Sequence, residues 1–194
     1  MNDFSDESMT RPLFEEPTAE LGREDPWSGS LGFMIGGMAL PTRTELAEQY
    51  FIAANILVER IIKCDIEDYK LVNPVLFLYR HSIELMLKGV MRSKSEHHKL
   101  DNLADYFVRF IKDNANVAVP RWITARLKEI AKIDPNSTTF RYAETWCKEK
   151  KLNVSTDGEI YVDLFHLKES MAVLYTSLAG VIGKVFVEKN KILK

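Results

Sequence analysis

Cysteine and histidine are scarce in this sequence. Only two of its 194 residues are cysteine and four are histidine, and Cys64 and Cys147 form no CxxC pair. Zinc-finger and disulfide-scaffold proteins are therefore excluded, and we expect free thiols in a reducing cytosol. The adjacent His97 and His98 would point about 100° apart on a helix, so they cannot easily share one metal ion. We predict no metal site and no cofactor.

Long hydrophobic runs are also missing. Residues 31–40 are apolar but contain three glycines, and residues 171–187, the most apolar run, include Lys184 and have charged flanks. A membrane-spanning helix needs about 20 consecutive apolar residues. The acidic N-terminal segment is the reverse of a secretory signal. These absences predict a soluble, cytoplasmic protein that makes no membrane contact.

The common catalytic signatures are absent as well. The sequence contains no GxGxxG, Walker A, HExxH, GxSxG or EF-hand pattern. Each of these patterns places the backbone or side chains that a phosphate, a metal ion or a nucleophile requires. An enzyme that acts on a small molecule therefore finds no support in the motifs.

Charge divides the chain into two parts. Residues 1–30 carry eight acidic and two basic side chains, whereas the remaining residues carry 20 acidic and 24 basic ones. We predict an irregular acidic arm over residues 1–41, with a glycine-rich apolar patch at 31–40, and one domain over residues 42–194. The arm is either a solvated tail or a docking element for a protein partner.

The domain has the hydrophobic period of α-helices. Thr42-Arg43-Thr44-Glu45 matches a capping box, so we predict a first helix from Thr42 to near Cys64. A second helix is predicted from Asn73-Pro74 to residues 92–95, because Asn caps well and Pro suits the first helical position. Two more are predicted over about residues 100–112 and from Pro120 to Asp134.

The C-terminal part is predicted to form a hairpin and a long helix. Leu152 and Val154 alternate with polar residues, Asp157-Gly158 suits a tight turn, and Ile160 and Val162 alternate on the return. The last helix begins near Asp163, and its apolar side chains follow a three-four rhythm over residues 164–185. The chain is therefore predicted to be all-α, an up-and-down bundle of about five helices with a small β-hairpin before the last.

Three polar clusters are candidates for chemistry. Arg80, Glu84 and Lys88 recur every fourth residue with His81 beside them, which suits either a phosphate site or a helix-surface ladder of ion pairs. From the residues alone, the surface ladder is the preferred interpretation. Residues 92–99 contain several basic side chains and two histidines at the end of a helix. This segment is either a proton-transfer site or a solvated basic loop. Phe140-Arg141-Tyr142 either binds a phosphate and a base or pins a loop.

Residues 78–89 and 98–103 resemble the HEPN superfamily. Glu84 with Leu87-Lys88 matches its "E-x-x-L-K" helix, and His98-Lys99-Leu100 through Leu103 matches its "H-x-L-x-x-L" helix start. Phe140-Arg141-Tyr142, followed by a short excursion and a long final helix, is similar to one bacterial branch. The resemblance covers about residues 45–187. It implies a dimeric bundle of four or five helices from a bacterial toxin–antitoxin or antiviral defence system.

The resemblance also implies a function. Many members are metal-independent ribonucleases with an Arg-x(4–6)-His motif in a helix, and others only bind nucleotides or partners. Here Arg92 precedes His97 and His98 at the required spacing, at a helix end and in the following loop. The candidate catalytic residues are Arg80, His81, Arg92, His97 and His98, with Glu84, Lys88, Arg141 and Tyr142 as nucleotide or phosphate contacts. The alternative is a non-catalytic scaffold that binds a protein partner through residues 1–40 and the bundle.

Overall fold

A computed structural model describes residue 14 and residues 40–93, 98–142, 145–147, 152–154 and 159–192. The chain separates into two compact units, residues 1–40 and 41–194. The predicted acidic arm and its glycine-rich patch therefore lie almost entirely outside the described residues. The following description concerns the second unit.

Helix α1 spans Arg43–Ile62 and begins as the sequence predicts. The Thr42 hydroxyl accepts a hydrogen bond from the Glu45 backbone N–H, and the Glu45 carboxylate accepts one from the Thr42 N–H at 2.7 Å. The two side chains thus satisfy two of the backbone donors that a helix start leaves without partners. The capping box is confirmed.

Helix α2 spans Asp68–Val90, so its predicted start at Asn73-Pro74 is wrong. Glu67 is the N-cap, and Pro74 lies inside the helix, where it removes one backbone hydrogen bond. Pro74 is exposed at this point. The helix continues through the proline, and the next residue, Val75, is buried in the core.

The remaining helices agree with the sequence. Helix α3 spans Leu100–Ala115, α4 spans Arg121–Ile133 and α5 spans Leu164–Ile192. Asp163 caps α5, since its carboxylate accepts the His166 N–H at 2.9 Å. No helix within the described residues is both long and apolar enough to cross a membrane.

Two short strands precede α5. Strand β1 (Thr145–Cys147) pairs antiparallel with β2 (Leu152–Val154), with Trp146 opposite Asn153. The predicted hairpin, in which Ile160 and Val162 form the returning strand, is not confirmed, because these two residues lie in an irregular stretch. The Asp157-Gly158 turn lies outside the described residues.

The core is a helical bundle in which α1 and α2 run antiparallel. Thr44 lies beside Gly89 near one end of the pair, and the Tyr79 hydroxyl donates to Asn55 at 2.8 Å farther along. A Cβ on Gly89 would lie 2.6 Å from Thr44 Cγ2 and 3.3 Å from Thr44 N, so a larger residue there would force Thr44 to shift. Helix α5 packs on α1, α2 and α3, and α3 packs on α4.

The apolar rhythm of α5 is confirmed as far as its side chains are described. Met171, Leu174 and Leu178 are buried, and Leu164, Leu167 and Val181 pack against the core. These spacings of three and four residues place the side chains on one face. The predicted position of Val185 lies outside the described side chains.

Candidate functional site

The row formed by Arg80, Glu84 and Lys88 is buried rather than exposed. Arg80 and Glu84 are each 1% exposed and Lys88 is 6% exposed. The interpretation of this row as a helix-surface ladder is therefore wrong. The spacing of four was correctly assigned to one face of α2, but that face is covered by the α3 start and the α4 end.

Glu84 is the centre of the buried cluster. Its carboxylate accepts hydrogen bonds from Arg80 Nη1 at 2.6 Å and from Lys88 Nζ at 2.9 Å, and its Oε1 lies 2.7 Å from His98 Nδ1. Burial raises the pKa of Glu84, but the hydrogen bonds from Lys88, Arg80 and His98 outweigh burial and hold the pKa below its ordinary value. Glu84 is therefore an ionised carboxylate at neutral pH.

Arg80 joins three parts of the fold. Besides Glu84, its guanidinium donates to the carbonyl oxygens of His98 at 2.6 Å and Asp134 at 3.2 Å. The Asp134 carboxylate lies 3.0 Å from Arg80 Nε. Every guanidinium nitrogen thus has a protein partner, so Arg80 positions its neighbours instead of holding a phosphate, the alternative that the sequence left open.

Asp134 links the buried cluster to the turn that carries Arg141. Asp134 is fully buried at the end of α4, and its Oδ1 accepts the N–H groups of Thr138 at 2.8 Å and Thr139 at 3.1 Å. The N–H groups of Arg141 and Tyr142 then bond the Thr138 carbonyl. The buried cluster and the 138–142 turn are therefore one hydrogen-bonded unit.

Arg141 continues a row of planar groups across the surface, which we call the platform: Tyr50, Phe77, His81, Arg141 and Tyr142. His81 packs edge-on against Tyr50 at 4.6 Å between ring centroids and stacks on Phe77 at 5.5 Å. The Arg141 guanidinium lies 5.8 Å from the Phe77 ring centre and 5.2 Å from that of Tyr142. Arg141 and Tyr142 are exposed, and the other members are half-buried.

His81 connects the platform to the buried cluster. Burial lowers the pKa of His81, the charge of Glu84 opposes this, and the charges of Arg80, His98 and Lys88 add to the lowering. The net direction is down, so the imidazole of His81 is neutral at pH 7. His81 is thus electrostatically coupled to both Glu84 and His98.

His98 is the exposed member of the buried cluster. Its side chain is 58% exposed, although its Nδ1 contacts a carboxylate that is 1% exposed. An ionised carboxylate only accepts hydrogen bonds, so Nδ1 is the donor and Nε2 carries the lone pair when the ring is neutral. The geometry thus provides an oriented imidazole with an available acceptor nitrogen.

Two candidates from the sequence remain, Arg92 and His97. Arg92 is exposed in the turn after α2 and has a φ of 50°. His97, its partner in the Arg-x4-His pattern, lies outside the described residues. Within the described part of the chain, no group of three or more His, Cys, Asp or Glu side chains is arranged to hold a metal ion.

Sequence reasoning missed Asp134, Tyr50 and Phe77 as members of the site. In the sequence, Asp134 marks only the predicted end of the fourth helix, and the two aromatic residues lie within the first and second predicted helices. An acidic residue directly before Pro135 at the end of α4 was the available signal for Asp134. Phe77 precedes His81 by four residues on α2, so helix spacing was the available signal for their stack, whereas Tyr50 reaches His81 only through the packing of α1 on α2.

Comparison of this chain with family models, with curated proteins and with solved structures finds no match.

Proposed function

We propose that this chain is a HEPN-like, homodimeric domain of a bacterial defence or toxin–antitoxin system. It binds RNA or a nucleotide on the platform and cleaves RNA without a metal ion. The observation that carries the proposal is the pairing of exposed His98 with buried Glu84 at 2.7 Å, beside a row of planar side chains that ends in Arg141.

His98 acts as the proton acceptor in this proposal. With Nδ1 donating to Glu84, Nε2 takes the proton of a ribose 2′-OH, and the 2′-oxygen attacks the adjacent phosphorus. The P–O5′ bond breaks, which leaves a 2′,3′-cyclic phosphate and a 5′-oxygen that takes its proton from water. The Glu84 carboxylate stabilises the imidazolium that forms, as in other carboxylate–histidine pairs. General acid–base catalysis of this kind contributes about 10²–10⁴-fold to a rate.

The platform supplies binding. Aromatic rings and guanidinium planes stack on nucleobases, at about 1–3 kcal/mol per base, without sequence preference. Arg141 is exposed and held over two rings, and its Nη2 donates to the Tyr142 hydroxyl at 3.1 Å. These contacts fix its plane, and its other N–H groups are the proposed phosphate donors. Neutral His81 lies in the same row and extends the stacking surface toward Glu84 and His98.

The test measures RNA binding and RNA cleavage by the purified chain in EDTA between pH 6 and 8. We expect His98→Ala to lose cleavage by at least about 100-fold and keep RNA binding. Arg141→Ala should weaken RNA binding about tenfold. His166→Ala is the matched control, because His166 is exposed on α5 and contacts Ser170 instead of the cluster.

Two results would contradict the proposal at different points. If RNA stays intact at every pH while Arg141→Ala still weakens binding, the domain binds RNA without cleaving it. If neither cleavage nor binding occurs, the platform is not a nucleic-acid surface. Dimer formation is measured separately by light scattering.

A scaffold without catalytic activity is the second candidate. It is favoured by the hydrogen bonds of Arg80, because all three guanidinium nitrogens bond to protein groups and thereby hold α2, α3 and α4 together. The test overexpresses the chain in bacteria and measures growth. For a scaffold, any growth defect should persist in His98→Ala and disappear when residues 1–40 are deleted. The opposite pattern favours the nuclease.

A further inference from the structure

A groove of about 630 Å³ lies among α2, α4, α5 and the irregular stretch 159–163. Its walls are mainly apolar, with Leu76 from α2, Ile130 from α4 and Met171 from α5. The volume falls within the range of about 300–1,000 Å³ that is typical of small-molecule sites. None of the five platform residues is among the described residues that line it, so this groove is distinct from the proposed RNA surface.

Negative charge predominates at the rim of the groove. Glu129, Glu159 and Asp163 line it, whereas Arg126 is the rim cation and already pairs with Glu129 at 2.7 Å. Arg80 also lines the groove, but Glu84 and Asp134 neutralise its charge. Among the described residues, no lysine or arginine other than Arg126 and Arg80 lines the groove, so an anionic ligand would face the carboxylates of Glu159 and Asp163.

Aromatic rings accompany the rim carboxylates. Phe140 and Tyr161 both line the groove. Tyr161 is 90% exposed and lies two residues from Glu159 on one side and from Asp163 on the other. A ring face attracts a cation within about 6 Å of its centre, and a carboxylate attracts the same cation at longer range. Rings beside carboxylates at the mouth of an apolar groove favour a positively charged group attached to an apolar body.

We propose that this groove binds a small organic cation, an amine or quaternary ammonium carried on an apolar body. The apolar body lies against α2, α4 and α5, and the ammonium lies at the rim near Glu159 and Asp163. Exposed ion pairs contribute up to about 1 kcal/mol each, which is about fivefold in affinity. Two rim carboxylates therefore give a clear preference for the cation.

The test is calorimetric titration of the full chain with three probes that differ in one group: 4-phenylbutylamine, 4-phenylbutanol and 4-phenylbutyrate. We expect the amine to bind at least about fivefold tighter than the alcohol, and the carboxylate to bind weakest. If the carboxylate binds as tightly as the amine, or if no probe binds, the proposal is overturned.

Variants locate the site. Glu159→Gln combined with Asp163→Asn should bring the amine close to the alcohol in affinity, and asparagine still caps α5. Glu169→Gln is the matched control, because Glu169 lies on α5 outside this groove. Ser170→Phe fills the groove and should abolish binding of both amine and alcohol. Unchanged amine binding in the filled variant would place the probe elsewhere and refute the proposal.

Discussion

Replacing Glu84 by glutamine tests whether the buried cluster holds the bundle together. The carboxylate is 1% exposed and contacts Arg80, Lys88 and His98 within 2.9 Å. Glutamine keeps the shape but removes the charge, which leaves two buried cations without their main counter-ion. Breaking a buried ion pair from one side costs about 3–5 kcal/mol. Since domains are stable by about 5–15 kcal/mol, the loss is a large share of the total.

Urea unfolding followed by circular dichroism measures this loss. With a slope of about 2 kcal/mol per molar urea, the midpoint should fall by about 1.5–2.5 M. Glu59→Gln is the matched control, since Glu59 pairs with Lys168 at 2.8 Å where both side chains are only half-buried, and its midpoint should move far less. If the urea midpoint of Glu84→Gln lies within 0.5 M (about 1 kcal/mol) of the wild-type midpoint, the charge of Glu84 does not stabilise the fold.

The pH dependence of the same variant gives an independent check. Because the pKa of Glu84 is lower in the folded chain than its ordinary 4.5, its contribution is fully present above that value. The contribution is lost as pH falls through the lower, folded value. Wild-type stability should therefore decline more steeply than that of Glu84→Gln on acidification below about pH 4.5. Parallel curves would contradict the assigned direction of the shift.

Two further predictions concern packing and titration. Gly89→Ala should destabilise the chain by about 1–3 kcal/mol, since its Cβ would meet Thr44 Cγ2 at 2.6 Å. Thr44→Ser should restore part of that loss, and Gly180→Ala, with nothing within 4 Å, should not destabilise; equal losses at both glycines would contradict the close crossing. By NMR, His81 should titrate below its ordinary 6.5, and stability should fall as pH drops below that value, less so in His81→Phe. Titration at or above 6.5 would rule out the burial assigned to it.

Helix positions were largely predictable because their signals are local. The capping box at Thr42 and the Asp163 cap involve residues three apart. The apolar rhythm of α5 needs only the geometry of one helix. The start of α2 was misplaced because Pro74 is a favourable first residue, whereas the helix begins at Asp68 and runs through the proline.

The sequence predicted most residues of the candidate site but not that the row on α2 is buried. Sequence spacing placed Arg80, Glu84 and Lys88 on one face of a helix, which is correct. It could not show that this face is buried, because the covering groups His98 and Asp134 lie 18 and 54 residues from Arg80. The platform has the same origin, since Tyr50, Phe77 and Arg141 come from three separate segments.

Local order in this chain thus follows from the sequence itself, through caps, turns and the 3.6-residue period that act within one or two helical turns. The tertiary structure alone decides which polar side chains lose water. Burial depends on what other segments bring to the same place, and the interaction between charges strengthens as solvent is excluded. The same three side chains would form a weak ladder in water, and in the interior they hold one imidazole in place and join three helices.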